Sequence, residues 1–361
     1  MNKIRVLIVD DSALIRQILS AALQMTDDIE VVGSAVDPFE ARDKIKILQP
    51  DVLTLDVEMP KMDGIAFLEN LMRLRPMPVV MVSTLTTKAS SVTLKALELG
   101  AIDFVAKPSA SLQGDIGPFA KEVQEKIRIA ATANVRELAA PIQKVELNSV
   151  PSEIQKKQSI SNSFTHIIAI GASTGGTEAI RKVLVDLPAD TAPIVIAQHI
   201  PESFSASFAN RLNECCEMNV VEATNNQVVS RGYAYVAPGN SHLSIVGKNG
   251  SYRCKLDSGP KVNRHRPSVD VLFDSLSKTF RANEIIAVIL TGMGNDGAEG
   301  MSHLHKAGVY TIAQDEASSV VWGMPGSAVK LNAADEILSL AKIAKKLLKV
   351  PHRKASKQAG V

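Results

Sequence analysis

The sequence predicts an α/β protein made of two doubly wound parallel-sheet domains. Three observations predict it. Short apolar runs alternate with stretches of helical spacing through both parts of the chain. That alternation breaks down once, in a polar segment near residues 137–162. Side chains able to do chemistry fall just past the ends of the apolar runs, where a parallel sheet places its ligand crevice.

The first series is regular. Strands are expected at Ile4–Val9, Glu30–Ala35, Asp51–Leu55, Val79–Ser83 and Ile102–Ala106. Helices are expected at Asp11–Leu23, Phe39–Leu48, Gly64–Leu74, Lys88–Leu99 and from Pro118 into the Arg136 region. Pro50 and Gly100 supply stop signals. With short loops, right-handed crossovers are the natural connection.

After the polar segment a second series starts. Strands are expected at Ile167–Ile170, Ile194–Ala197, Ile285–Leu290 and Val309–Ala313, with short β segments between Val220 and Leu256. Helices are expected at Thr177–Val185, Phe204–Cys215, Val269–Phe280, Gly297–Ala307 and Asp335–Leu348. The division that follows is 1–136, a linker at 137–162, a second domain at 163–349 and a basic tail at 350–361.

Bulk properties narrow the class. The chain has 361 residues, 45% hydrophobic and 22% charged, enough for two cores. A net charge of +2 and the lack of a helix-turn-helix candidate after the linker argue against a nucleic-acid partner. Three cysteines without a CxxC pair fit a reducing compartment. No apolar run nears the roughly 20 residues that cross a bilayer, and the chain opens directly into a strand pattern. A cytoplasmic protein without membrane insertion is expected.

The first chemical constellation is acidic. Asp10 and Asp11 follow the first strand and Asp56 ends the third. Three clustered carboxylates require a hard divalent cation such as Mg²⁺. Ser83 ends the fourth strand and Lys107 follows the fifth, so a hydroxyl and an ammonium reach the same crevice. Such a set can accept and hold a phosphoryl group. One acid alone, Asp11 for instance, reads equally well as a helix cap. Over roughly residues 1–125 this pattern resembles the flavodoxin-like receiver domain of two-component response regulators. The resemblance implies that Asp56 takes phosphate from a histidine kinase, with Asp10 and Asp11 holding Mg²⁺. Ser83 would contact the phosphoryl oxygens, with Thr84 as rival, and Lys107 would pair with them. Phe104 falls at the aromatic switch position.

The second constellation is Ser173, His199 and Asp296, each just past a strand. Gly171-Ala172-Ser173-Thr174-Gly175 matches G-x-S-x-G at a strand-to-helix turn, a weak signal alone, since such a serine also reads as a helix cap. His199 can serve as base and Asp296 can fix its tautomer. The chain order Ser…His…Asp excludes the α/β-hydrolase order. His242 lies in a polar turn that can line the pocket, and His265 in a basic stretch able to meet an acidic surface. A rival reading rests on Gly292-x-Gly294-x-x-Gly297, with Asp315 as a ribose-binding acid, and gives a nucleotide- or partner-binding module without hydrolase activity.

The segments around Ser173, His199 and Asp296, with Tyr235-Val236-Ala237-Pro238-Gly239-Asn240-Ser241-His242, resemble the receiver-linked chemotaxis protein-glutamate methylesterase family, whose catalytic domain is Rossmann-like. The resemblance implies hydrolysis of γ-glutamyl methyl esters on the cytoplasmic helical region of chemoreceptors, releasing methanol. It also implies deamidation of receptor glutamines, with no cofactor in that domain. Ser173 is then the nucleophile, His199 the general base and later acid, and Asp296 the orienting carboxylate. The Met293 N–H is the expected oxyanion donor. The unphosphorylated receiver is expected to cover the catalytic edge.

Overall fold

The computed structural model describes residues 3–59, 63–84, 87–108, 116–135 and 164–350. The expected linker and all but the first residue of the expected tail lie outside them.

The first domain runs β1 (Ile4–Val9), α1 (Ala13–Gln24), β2 (Ile29–Ala35), α2 (Pro38–Leu48), β3 (Val52–Asp56), α3 (Gly64–Leu74), β4 (Val79–Ser83), α4 (Thr87–Glu98), β5 (Asp103–Ala106) and α5 (Gly117–Thr132). The sheet order is β2-β1-β3-β4-β5, parallel throughout. Strands buried on both faces are apolar along their whole length, as β4 is with Val79, Val80, Met81 and Val82. One face packs on α1 and α5 through Leu19, Leu23, Val123 and Ile127. The other packs on α2, α3 and α4 through Ile45, Leu68 and Leu94. Ser12, not Asp11, caps α1: its hydroxyl accepts the Ile15 N–H at 3.4 Å. Asp11 is therefore left facing the crevice.

The second domain runs β6 (Ile167–Ala172), α6 (Gly176–Val185), β7 (Ile194–Gln198), α7 (Glu202–Cys215), β8 (Asn219–Glu222), β9 (Tyr233–Val236), the hairpin strands β10 (His242–Lys248) and β11 (Ser251–Asp257), α8 (Val269–Thr279), β12 (Ile285–Ile289), α9 (Ala298–Lys306), β13 (Tyr310–Gln314), α10 (Met324–Lys330), β14 (Glu336–Leu338) and α11 (Leu340–Leu347). Its sheet order is β14-β13-β12-β6-β7-β9-β8, again parallel, while β10 and β11 pair antiparallel outside it. The chain leaves β6 in one direction and returns through β12 on the other side. The topological switch point therefore lies between β6 and β12, and the crevice opens at their C-terminal ends.

Two expectations change here. The single helix expected over Asp335–Leu348 is an edge strand, β14, followed by α11. Three residues are too few to show a strand period, so the helical spacing of α11 masked it. The helix α10 was not foreseen, because Pro325 and Gly326 both lower helix propensity.

The two domains meet along α4, β5 and α5. Glu98 pairs through both oxygens with Arg211 of α7, and the Ser90 hydroxyl donates to the Ser203 carbonyl at 3.0 Å. Phe104 stacks on Phe204 with ring centres 4.4 Å apart. Asp103, which also pairs with Lys126 at 2.6 Å, accepts the Thr174 hydroxyl at 2.6 Å.

In the second core, Gly171 faces α8 so closely that a Cβ there would lie 2.2 Å from Val269 Cγ1. Gly171→Ala is therefore expected to lower stability by about 1–3 kcal/mol through overpacking. Thermal unfolding of the single variant and of Gly171→Ala with Val269→Ala checks this. The second substitution should restore part of the loss, and strictly additive losses would rule out the packing cause.

Candidate active site

The acidic cluster of the first domain assembles as the strand ends dictate. Lys107 Nζ lies 3.0 Å from Asp10 Oδ2 and 2.8 Å from Asp56 Oδ2. Asp56 is buried, and burial pushes its carboxyl up to about 6 despite the Lys107 hydrogen bond, with the Asp10 charge adding to the rise. Burial works against the Lys107 ammonium too, but its bonds to Asp56 and Asp10 outweigh it and raise its pKa. One ammonium thus serves two buried carboxylates. Ligand atoms of Asp10, Asp11 and Asp56 lie within 4.8 Å of one another, which suits a hard divalent cation. Ser83 is buried beside the cluster, its hydroxyl directed at the Thr84 carbonyl 3.4 Å away, whereas Thr84 itself is exposed. Phe104 is nearly buried and held by its stack on Phe204.

The second site forms at the switch point. Ser173 follows β6 and its N–H donates to the Thr291 carbonyl at 3.0 Å. It does not cap α6: the N-cap is Gly175, at φ 75°. A Cβ on Gly175 would meet Val320 at 2.6 Å, so the position needs glycine for both backbone and space. Gln198, the last residue of β7, donates its side-chain amide to the Ser173 carbonyl at 2.9 Å and to the His199 carbonyl at 3.0 Å. One side chain thus ties the serine turn to the histidine loop.

His199 Nε2 lies 2.8 Å from Asp296 Oδ2. Asp296 is 2% exposed and also accepts the Val269 N–H at 2.7 Å, the Ser268 hydroxyl at 2.7 Å and the Asn263 amide at 2.9 Å. Burial alone would raise its pKa. The bond from His199, the histidine charge and the Asn263 and Val269 donors outweigh that and hold the carboxyl well below its usual range. His265 stacks on His199 with centroids 3.6 Å apart and planes 8° from parallel. Burial, with the neighbouring His199 charge, pushes the His265 ring down to about 4, so it is neutral.

Met293 sits on the loop after β12, and its N–H donates to no acceptor among the described residues. Gly294, at φ 86°, turns the chain beside it. A cleft of about 820 Å³ opens over Ser173, His199, Met293 and Asp296. Lys261, Arg264 and His265 line one side and Lys121, Glu125 and Lys126 of α5 the other, so the first domain walls the cleft.

Ser173, His199 and Asp296 are therefore brought to one crevice, with Met293 at its edge. One histidine departs from the sequence reading. His242 does not line the cleft: it is 3% exposed, directs Nε2 at the Pro260 carbonyl and accepts the Ser268 N–H on Nδ1 at 3.2 Å. His265 lies with its basic stretch at the cleft and stacks on His199. Asn263, Ser268 and Gln198 were missed. No local motif marks them, although the Ser268-Val269-Asp270 start of α8 carried a capping signal. The nucleotide reading loses its acid, since Asp315 Oδ1 closes a turn onto the Ser318 N–H and hydroxyl at 3.0 and 2.6 Å.

A serine on a strand-to-helix turn, a buried imidazole–carboxylate pair and a free loop N–H are the groups that a serine hydrolase site requires, here beside a domain that carries an acidic cluster. Comparison with known proteins gives the particular family. Residues 6–113 match the response regulator receiver domain and residues 168–347 match the CheB methylesterase. A protein-glutamate methylesterase/protein-glutamine glutaminase of Hahella chejuensis is 54% identical over 94% of both chains. One from Pectobacterium atrosepticum is 51% identical over 96% of this chain and 97% of its own. The catalytic domain of Thermotoga maritima CheB methylesterase is similar with 38% identity and a TM-score of 0.51, over 52% of this chain and all of that one. The chain belongs to the CheB methylesterase family.

His265→Ala and Asn263→Ala are each expected to lower kcat on a methyl-ester substrate by about 10- to 100-fold with little change in KM, because they orient groups rather than bind substrate. Steady-state kinetics decides. A rise in KM at constant kcat would make them substrate contacts instead.

Proposed function

We propose that this protein is a phosphorylation-activated protein-glutamate methylesterase and protein-glutamine glutaminase. The observation that carries the reading is the 2.8 Å bond from His199 to the buried Asp296, one strand away from Ser173. Ser173 attacks the γ-carbonyl of a methyl-esterified glutamate while His199 takes the hydroxyl proton. The tetrahedral oxyanion lies against the Met293 N–H. His199 returns the proton to the leaving oxygen and methanol departs. Water, deprotonated by His199, then hydrolyses the acyl-enzyme to the free carboxylate. A glutamine side chain follows the same path with ammonia leaving. Asp296 keeps its charge and holds the ring.

The functional units are the receiver at 1–136, the linker at 137–162, the catalytic domain at 163–349 and the tail at 350–361. Asp56 is the phosphoacceptor, served by a chemotaxis histidine kinase. Asp10, Asp11 and Asp56 would hold Mg²⁺, which when bound would supply positive charge beside the phosphoryl group. Ser83 and Lys107 meet that group's oxygens. The substrates are chemoreceptors, reached on their cytoplasmic helical region. No helix among the described residues is long and apolar enough to cross a membrane, which agrees with a cytoplasmic enzyme. The α5 wall and the Asp103–Thr174 bond support a receiver that blocks the cleft until Asp56 is phosphorylated. Phe104 links the two changes, since it stacks on Phe204.

Ser173→Ala should abolish methanol release from methylated receptor membranes while Asp56 still takes phosphate from a small phosphodonor. Persisting esterase activity would remove the nucleophile assignment. Removing residues 1–136 should raise basal turnover, and a truncated form no faster than the unphosphorylated whole would argue against the block.

A further inference from the structure

Building on the hydrolase reading, we propose that His199 works with its ring nitrogens exchanged relative to the usual Ser-His-Asp arrangement: Nδ1 takes the Ser173 proton and Nε2–H is held by Asp296. In the usual arrangement Nδ1–H faces the aspartate and Nε2 faces the serine.

The assignment follows from what each atom can do. Asp296 is acceptor-only, and its oxygens are occupied by N–H and O–H donors from Val269, Ser268 and Asn263. The nitrogen 2.8 Å from Oδ2 is Nε2, so Nε2 carries the proton. In the neutral ring the lone pair then lies on Nδ1. Nδ1 is buried and has no hydrogen-bond partner among the described residues, in a side chain only 8% exposed that lines the Ser173 cleft. It is an unspent acceptor at the place where a base is needed.

The topology explains the exchange. Ala172 pairs with Gln198 across β6 and β7, so Ser173 and His199 are the next residues out on adjacent parallel strands. The His199 N–H donates to the Ala172 carbonyl at 3.1 Å, and the Gln198 amide spans both backbones. The serine is therefore close to the histidine backbone, on the side of the nitrogen bonded to Cγ. Asp296 comes from beyond β6, after β12, and is anchored at the start of α8. Only the ring tip, Nε2, reaches it. A half-turn about Cβ–Cγ would put Cε1 toward Asp296 and break the bond. The His265 stack, 8° from parallel, holds the ring plane against smaller rotations. The Ser173 hydroxyl has not closed on Nδ1 in this state, as is common before substrate arrives.

The proton path balances in this arrangement. The Ser173 Oγ–H bond breaks as Nδ1–H forms, giving an imidazolium with Nε2–H still on Asp296. Nδ1 then protonates the leaving oxygen and returns to its lone-pair state.

Two measurements on the full-length protein test it. With imidazole-¹⁵N histidine, long-range ¹H–¹⁵N correlation reports the tautomer of His199, assigned by its disappearance in His199→Gln. The Nε2–H tautomer is expected, and the Nδ1–H tautomer would overturn the proposal. The second is the rate of Ser173 labelling by a fluorophosphonate when Nδ1-methylhistidine is installed at position 199. With Nδ1 methylated the ring meets Asp296 through Nε2–H only as the imidazolium and has no lone pair left on Nδ1, so labelling should fall at least about 100-fold. Labelling within about tenfold of the unmodified protein would overturn it. If the unmodified protein is not labelled at Ser173, the hydrolase reading itself fails, a result distinct from either of these.

Discussion

A carboxylate kept ionised at 2% exposure must be surrounded by donors, and the catalytic domain is arranged around meeting that demand at Asp296. Val269 and Ser268 meet it from the first turn of α8, where the helix dipole also favours a negative charge. Asn263 meets it from the preceding loop, and the same amide donates to Asp270 Oδ2 at 2.6 Å. That loop is fixed in turn by His242, which accepts the Ser268 N–H, and by Arg266, whose guanidinium binds the Ser258 and Gly259 carbonyls and Asn240. His265 can stack on His199 only because its neighbours are held this way. The last donor is His199, which lines the cleft beside Ser173. Removing the charge at Asp296 would release the loop, the helix start and the ring together.

The same economy runs through the domain boundary. The strand β5 is four residues long, roughly 13 Å. Lys107, just past its end, binds Asp56, while Asp103 at its start accepts the hydroxyl of Thr174, the residue after Ser173. Phe104 between them stacks on the catalytic domain. Lys107, the partner of Asp56, is continuous with the strand that contacts the serine turn. One short element thus touches both sites, so no long pathway separates them.

What the sequence made legible was whatever a strand end determines. Asp10, Asp56, Lys107, Ser173, His199 and Asp296 all end or follow strands in a parallel sheet, so position along the chain was enough to place them in two crevices. Asn263, His265 and His242 were not legible. Their roles depend on how a long loop folds back between a hairpin and a helix, and no local period records that. The helix spacing was legible in α11 but hid β14, since three residues carry no readable alternation. Asp11 was ambiguous between cap and ligand until Ser12 proved to hold the cap.

The pentapeptide around Ser173 illustrates what a short motif does and does not carry. Its first glycine is required because α8 packs at Gly171, and its last because the turn needs a positive φ at Gly175 against Val320. These are local packing demands. Any fold that raises a serine on a tight strand-to-helix turn meets similar crowding, and glycine is the general answer to it. The pentapeptide therefore reports the turn, not the fold around it. Chain order and strand order report the fold, and here they put serine and histidine on neighbouring strands with the aspartate beyond the serine. That placement decides which end of the imidazole can face each partner, a property that the pentapeptide shared with other hydrolases could not have conveyed.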